Sequence, residues 1–308
     1  MKRFLAVLLL LSLTLCAACG KTEVAQEPSA APVTSAAPET LPPETEAPVV
    51  TEAETELPQT EPPTTEPPAP EPEVDRSAEP IYAAHPELTP VDYESPALLP
   101  ISEDATDAYL DRITFVCDSP TYWMWPNGLL NGGKETKQIW TGPQGTMTLA
   151  YLRGFKILDP FDGVERTIAE TAALHKPDII VIALGINGIS FMDEDYFKAE
   201  YANLIGELQQ ASPDTQIILQ SMYPILPTYK HWGAITNASI SLGNSWILDL
   251  AEEFGLPYLD TFSALLAEDG NAHPEWMMKD GLHPNKEGLS MILGYIRTHA
   301  WTPEQPAE

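Results

Sequence analysis

Residues Ile113 to Thr121 read ITFVCDSPT, and the fold turns on this stretch. An apolar, largely β-branched run stops at a small polar cluster. That is the pattern of a buried parallel strand delivering a side chain to the rim of its sheet. The side chain delivered is Ser119. A serine hydroxyl is a weak nucleophile alone, so chemistry here would need a histidine base, an acid to orient it and donors for an oxyanion.

Further along the chain, Val164 to Lys176 reads as a helix stopped by Pro177. Asp178 then opens the apolar strand IIVIAL, which ends at Gly185-Ile186-Asn187-Gly188. Asp193 to Ala211 sets Phe197, Tyr201, Leu204 and Leu208 at helical spacing, and Gln216 to Leu219 follows as a short strand. Asn237 to Phe254 repeats the amphipathic helix, and Tyr258 and Leu259 make a brief strand. Pro284 to His299 carries Leu289, Ile292, Leu293 and Ile296 on one helical face. Ahead of the first strand, the helical pattern around Asp104 to Leu110 feeds it, and Tyr122 to Gly145 behind it reads as loops. Strand and helix alternating in this way predict a mainly parallel sheet of about five strands in a three-layer α/β/α sandwich. In such sheets the chemistry gathers at the carboxyl ends of the strands.

Composition divides the 308 residues into parts, because the 31 prolines and the formal charge of -29 are unevenly spread. Residues 1–19 have a basic start (Lys2, Arg3), an apolar run from Phe4 to Leu15, and small residues before Cys19, which is the grammar of a signal peptide. The Ala17-Ala18-Cys19-Gly20 junction resembles a bacterial lipobox, with Cys16 where Leu is usual. That resemblance implies cleavage before Cys19, a lipid on its sulfur, and anchoring to the extracytoplasmic face of a bacterial cell membrane. Two or more acyl chains would hold such an anchor stably. Residues 20–80 are rich in Pro, Glu, Thr and Ala and hold no aromatic residue, so they cannot bury a core. They read as a disordered tether of roughly 60 residues, reaching on the order of 100 to 200 Å at about 3.1 Å per residue. Residues 81–303 form the globular domain and 304–308 a short tail.

From residue 81 onward there are 31 acidic and 12 basic residues, a balance of about -19. That argues against a nucleic-acid partner and against lying flat on anionic lipid, leaving the N-terminal lipid as the sole membrane contact. With Cys16 removed and Cys19 lipidated, Cys117 stands alone, so no internal disulfide can form; it reads as a small buried hydrophobe. No Cys/His cluster has zinc-site spacing, and the chemistry outlined for Ser119 calls for neither metal nor organic cofactor.

Near the C-terminus, Asp280-Gly281-Leu282-His283-Pro284 places an acid and a base three residues apart on one tight turn, with Pro284 suited to the first position of the last helix. Asp118-Ser119, Gly185-Ile186-Asn187-Gly188 and this last block, in this order, resemble the motif blocks of the SGNH (GDSL-type) hydrolase family over roughly residues 110–300. The resemblance implies a flavodoxin-like layered fold and a serine hydrolase. It makes Ser119 the nucleophile, His283 the general base and acid, and Asp280 its orienting partner. The oxyanion would be held by Ser119 N–H, by the Asn187 amide and by a glycine of Gly142-Pro143-Gln144-Gly145-Thr146, where Gly145 fits better than Gly142. Cys117 stands where the family has the glycine of G-D-S, and Gly188 where it has the aspartate of G-x-N-D.

Pro120 discriminates without reference to any family. A nucleophile elbow uses the backbone N–H of the residue after the serine, and proline has none. Taken singly, Asp118 and Ser119 could cap a helix, Asn187 could be a turn residue, and Trp123, Trp125 and Trp140 suit packing better than sugar stacking. The three polar clusters on one expected rim favour an esterase acting on small-molecule or polysaccharide esters, with short acyl groups such as acetyl. A carbohydrate-binding lipoprotein on the same fold and an O-acyltransferase are the alternatives.

Overall fold

The computed structural model describes residues 73–303. The expected signal peptide, Cys19, nearly all of the tether and the tail lie outside the described residues. In chain order the described elements are α1 (Glu79–Ala84), α2 (Thr106–Leu110), β1 (Ile113–Cys117), α3 (Ser119–Tyr122), β2 (Ile139–Trp140), β3 (Lys156–Leu158), β4 (Glu165–Thr167), α4 (Ile168–His175), β5 (Ile179–Ala183), α5 (Glu194–Ala211), β6 (Gln216–Gln220), α6 (Asn237–Phe254), β7 (Tyr258–Leu259), α7 (Thr261–Ala264) and α8 (Lys286–Thr298).

Five strands make one parallel sheet in the order β2-β1-β5-β6-β7. β1 and β5 are buried at every position, which a parallel strand covered on both faces requires. Their alternate side chains feed two cores. Val116, Ile180, Ile182, Ile217 and Leu219 pack with α4, α5 and α6. Ile113, Phe115, Ile179, Val181 and Ile218 pack with α2 and α8 on the opposite face. Leu289, Ile292 and Ile296 of α8 are at most 1% exposed, and burial of each contributes about 1.5–3 kcal/mol. The expected three-layer α/β/α sandwich is therefore present, with five strands. Because the order reverses at β1, the crevice between the carboxyl ends of β1 and β5 is the topological switch point, where such sheets place their sites.

Three boundaries differ from the sequence reading, and the stretch 122–145, expected as loops, contributes the edge strand β2. The helix expected from Val164 starts at Ile168, because Thr167 and Glu170 form a reciprocal capping box, with bonds of 3.1 and 2.8 Å. The residues before it pair as the β3–β4 hairpin. Residues 73–80 belong to the folded domain rather than to the tether: Ala78 is 2% exposed, and Ile101 N–H donates to Glu73 O at 2.8 Å. Pro284 does not open α8. Asn285 caps that helix, its side chain accepting from Gly288 N–H at 3.0 Å, while Pro284 bridges to Met277.

Candidate active site

Asp118 separates Ser119 from the end of β1, and Ser119 is the first residue of α3. Its N–H, at the first helical position, has no intrahelical acceptor. Pro120 fits the first turn, where a missing N–H costs nothing. The short helix is pinned from below, since Thr121 Oγ1 and Gln220 Nε2 each meet the Tyr223 hydroxyl at 2.9 Å. Asp118 sits at the cap position, yet its side chain does not cap α3. It reaches across to the next strand end and accepts from Gly185 N–H at 3.3 Å, which ties β1 to the Asn187 turn.

The second half of the site arrives on the turn before α8. Ser119 Oγ lies 2.9 Å from His283 Nε2, and His283 Nδ1 lies 2.8 Å from Asp280 Oδ2. An ionised carboxylate can only accept, so Nδ1 carries the proton and Nε2 is left to accept from the Ser119 hydroxyl. Asp280 Oδ1 also accepts from the backbone N–H of Leu282 and of His283, both at 3.0 Å. Partial burial pushes this carboxyl upward, but the bonds from the His283 ring and from the two N–H groups outweigh it and hold Asp280 below its ordinary value. Gly281 makes the turn possible at φ +73; a Cβ there would stand 2.6 Å from Thr228 Oγ1 and 2.8 Å from Tyr229 N. That close approach, with Leu226 N–H donating to Gly281 O at 2.8 Å, docks segment 226–229 onto the acid–base turn.

The expected oxyanion donors are placed unequally. Asn187 is partly exposed at the β5 end, and its amide donates to Met147 O at 2.8 Å and to Thr146 Oγ1 at 3.3 Å. The first bond orients the amide; the second is long enough to be exchanged. Gly145 lies against the Tyr122 ring, where a Cβ would come within 2.3 Å, but its N–H already donates to Gly142 O at 3.1 Å. The expected third donor is engaged in its own turn. Gly188 accommodates Met192, whose Sδ would meet a Cβ at 2.6 Å. Cys117 is fully buried, and burial raises its thiol well above the usual range, in keeping with a packing role. Trp140 is a core residue at 1% exposure. Trp123 stands edge-on to His283 at 6.1 Å, and the exposed Trp125 donates its ring N–H to Lys134 O at 2.7 Å.

One feature of the site escaped the sequence reading. A cavity of about 420 Å³ opens beside the imidazole, lined by Thr228, Tyr229, Lys230, His231, Asp280, Leu282 and His283. Residues 228–231 lie between β6 and α6 without periodicity, so only the close approach at Gly281 reveals their placement.

Two buried carboxyls set a pH dependence of stability. Burial pushes Asp118 up to about 7 and Asp260 up to about 6, against the hydrogen bonds that each accepts. Both groups hold a proton in the folded chain at pH values where the unfolded chain has released it. Their contribution is therefore full below about pH 4 and is lost as pH rises through 6 to 7. For Asp118 the loss is on the order of 4 kcal/mol at about 1.4 kcal/mol per pH unit. The melting temperature should fall between pH 5 and pH 8, and Asp118→Asn should flatten that fall. An equally steep fall in the variant, followed by circular dichroism, would contradict the assignment.

Residues 143–289 match the model of the GDSL-like Lipase/Acylhydrolase family, a span that holds Gly145, Asn187, Asp280 and His283 and begins after Ser119. No curated protein matches the chain. Among solved structures, a GDSL-like lipase from Bacteroides thetaiotaomicron aligns at 20% identity over 62% of this chain and 87% of its own, with a TM-score of 0.42. A carbohydrate esterase family 3 protein from Talaromyces cellulolyticus aligns at 19% identity over 60% and 93%, with a TM-score of 0.38. An acetyl xylan esterase aligns at 17% identity over 60% and 96%, with a TM-score of 0.42. The family match covers residues 143–289, and together with the five-stranded parallel sheet it makes the folded domain similar to the GDSL-like lipase/acylhydrolase (SGNH) family.

Proposed function

We propose that this chain is a surface-tethered serine esterase that removes short acyl groups, acetyl foremost, from esters on an envelope or environmental polysaccharide. The observation that carries this reading is the unbroken row of Ser119 Oγ, His283 and Asp280, with contacts of 2.9 and 2.8 Å. Ser119 Oγ attacks the ester carbonyl as His283 Nε2 takes its proton, and Asp280 stays ionised to steady the imidazolium. The oxyanion is held by Ser119 N–H and by the Asn187 amide, which gives up its contact to Thr146 and keeps the one to Met147. His283 then returns the proton to the leaving alcohol. Water attacks the acyl-serine with His283 again as base, which frees the acid and restores Ser119.

The test is release of acetate from 4-nitrophenyl acetate by the purified protein, compared with its Ser119→Ala form. Equal rates from the two would overturn the esterase reading. Tethering rests on the lipobox-like junction at Cys19 and on the acidic, proline-rich stretch behind it. Cys19→Ser should move the protein from the membrane fraction into the medium of cells that make it. Retention in the membrane fraction would contradict a lipid anchor.

A further inference from the structure

Between β6 and α6 the chain runs from Ser221 to Ile225 as five consecutive buried residues without helix or strand. Buried backbone outside regular structure must find its hydrogen-bond partners elsewhere. Two asparagines of α6, seven residues apart and so on one helical face, supply them. Asn244 Oδ1 accepts from Met222 N–H at 2.8 Å, while its Nδ2 donates to Met222 O at 3.1 Å. Asn237 repeats the pair on Ile225, with bonds of 2.9 and 3.0 Å. Both asparagines are buried, so each amide stands in for a neighbouring strand.

The clamped segment touches all three parts of the candidate site. The Gln220 amide nitrogen can only donate, so the Tyr223 oxygen accepts from it at 2.9 Å and turns its own proton to Thr121 Oγ1, also at 2.9 Å. That bond holds α3, a single turn too short to keep its own shape. Met222 packs on the oxyanion turn, where a Cβ on Gly185 would stand 2.8 Å from Met222 Sδ. Leu226 N–H, Thr228 and Tyr229 close on the acid–base turn through Gly281. Asn237, Met222, Tyr223 and Asn244 all lie outside the three motif blocks.

Resting on the esterase reading, we infer that the segment from Gln220 to Tyr229 is a common frame that sets Ser119, Asn187 and His283 in register, and that Tyr223 and Asn244 are positioning residues acting through it. Tyr223 fixes Ser119 through Thr121, two residues along the same turn. Asn244 fixes Tyr223 and Leu226 together, because both polar groups of the Met222 backbone are held. A displacement of about 1 Å at a reacting atom can cost on the order of 10² in rate, so the frame registers in kcat.

The test measures kcat and KM on 4-nitrophenyl acetate, with melting temperatures alongside. Thr121→Val and Tyr223→Phe should each lower kcat about tenfold and leave KM within about twofold of native. Thr121→Ser keeps the hydroxyl and should recover most of the loss. The double variant should lose little more than either single one, because both delete the same bond. Native kcat in folded Thr121→Val and Tyr223→Phe, however far their melting temperatures fall, would overturn the frame, and so would losses that multiply in the double variant. A second arm is independent of turnover: hydrogen exchange in Asn244→Ala. The amide protons of Tyr122 and Leu226 should each speed up about tenfold more than that of Val181 in the centre of the sheet. An equal rise at all three, or a rise at only one of the first two, would overturn the frame; if Asn244→Ala does not fold, the Thr121 pair decides. Coupled exchange in a protein without ester turnover would reject the esterase and keep the frame. Turnover untouched by Thr121→Val and Tyr223→Phe would do the reverse.

Discussion

Ser119→Ala is expected to lower kcat on 4-nitrophenyl acetate by about 10⁴ to 10⁶, the loss typical when the nucleophile of a hydrogen-bonded triad is removed. The substitution removes one hydroxyl whose side-chain partner is His283 Nε2 at 2.9 Å. The backbone of α3 starts as before, with Pro120 in its first turn and Tyr122 N–H donating to Asp118 O at 3.1 Å. His283 is 18% exposed at its side chain, so water can satisfy the nitrogen left free. The melting temperature should therefore move by no more than about 2 °C, within the range of an ordinary substitution away from the core. Loss of activity with a large fall in melting temperature would mean that Ser119 holds the helix rather than performs chemistry.

Asp280→Asn is expected to cost about 10³ to 10⁴ in kcat with the fold intact. The asparagine oxygen can keep the bonds from Leu282 N–H and His283 N–H, both 3.0 Å in the native turn. Its amide would then face His283 Nδ1 as a donor where an acceptor stood, at 2.8 Å. The imidazole must place its proton on Nε2, and a protonated Nε2 cannot accept from Ser119. Asp280→Ala should lose the turn as well and lower the melting temperature further. Near-native turnover by the asparagine variant would show that the acid is not needed to fix the tautomer.

Much of this architecture was legible in the chain. IIVIA and ITFVC announced strands buried on both faces, and Phe197, Tyr201, Leu204 and Leu208 announced the inner face of α5. The Asp280–His283 turn was legible because its geometry is local, and Ser119 because a strand end delivers it. The late start of α4 had a signal, Thr167 with Glu170 three residues on, that the apolar periodicity of Val164 to Lys176 outweighed. The beginning of the folded domain was misplaced because proline-rich composition continues through residues that bury Ala78 and support α1; composition averages over windows, whereas burial is decided residue by residue. Gly145 matched a motif, but whether its N–H is free depends on a single turn bond to Gly142 that spacing does not encode. The cavity beside His283 depends on a contact between segments some fifty residues apart, and nothing local marks it.

The central claim is that one serine among many is made nucleophilic by its neighbours. Mass spectrometry of the protein after treatment with a serine-reactive fluorophosphonate measures that directly. A single adduct on Ser119, absent from the His283→Ala protein, is the expected result. An adduct on another residue, or none on Ser119 under conditions that label a known serine esterase to completion, would contradict it.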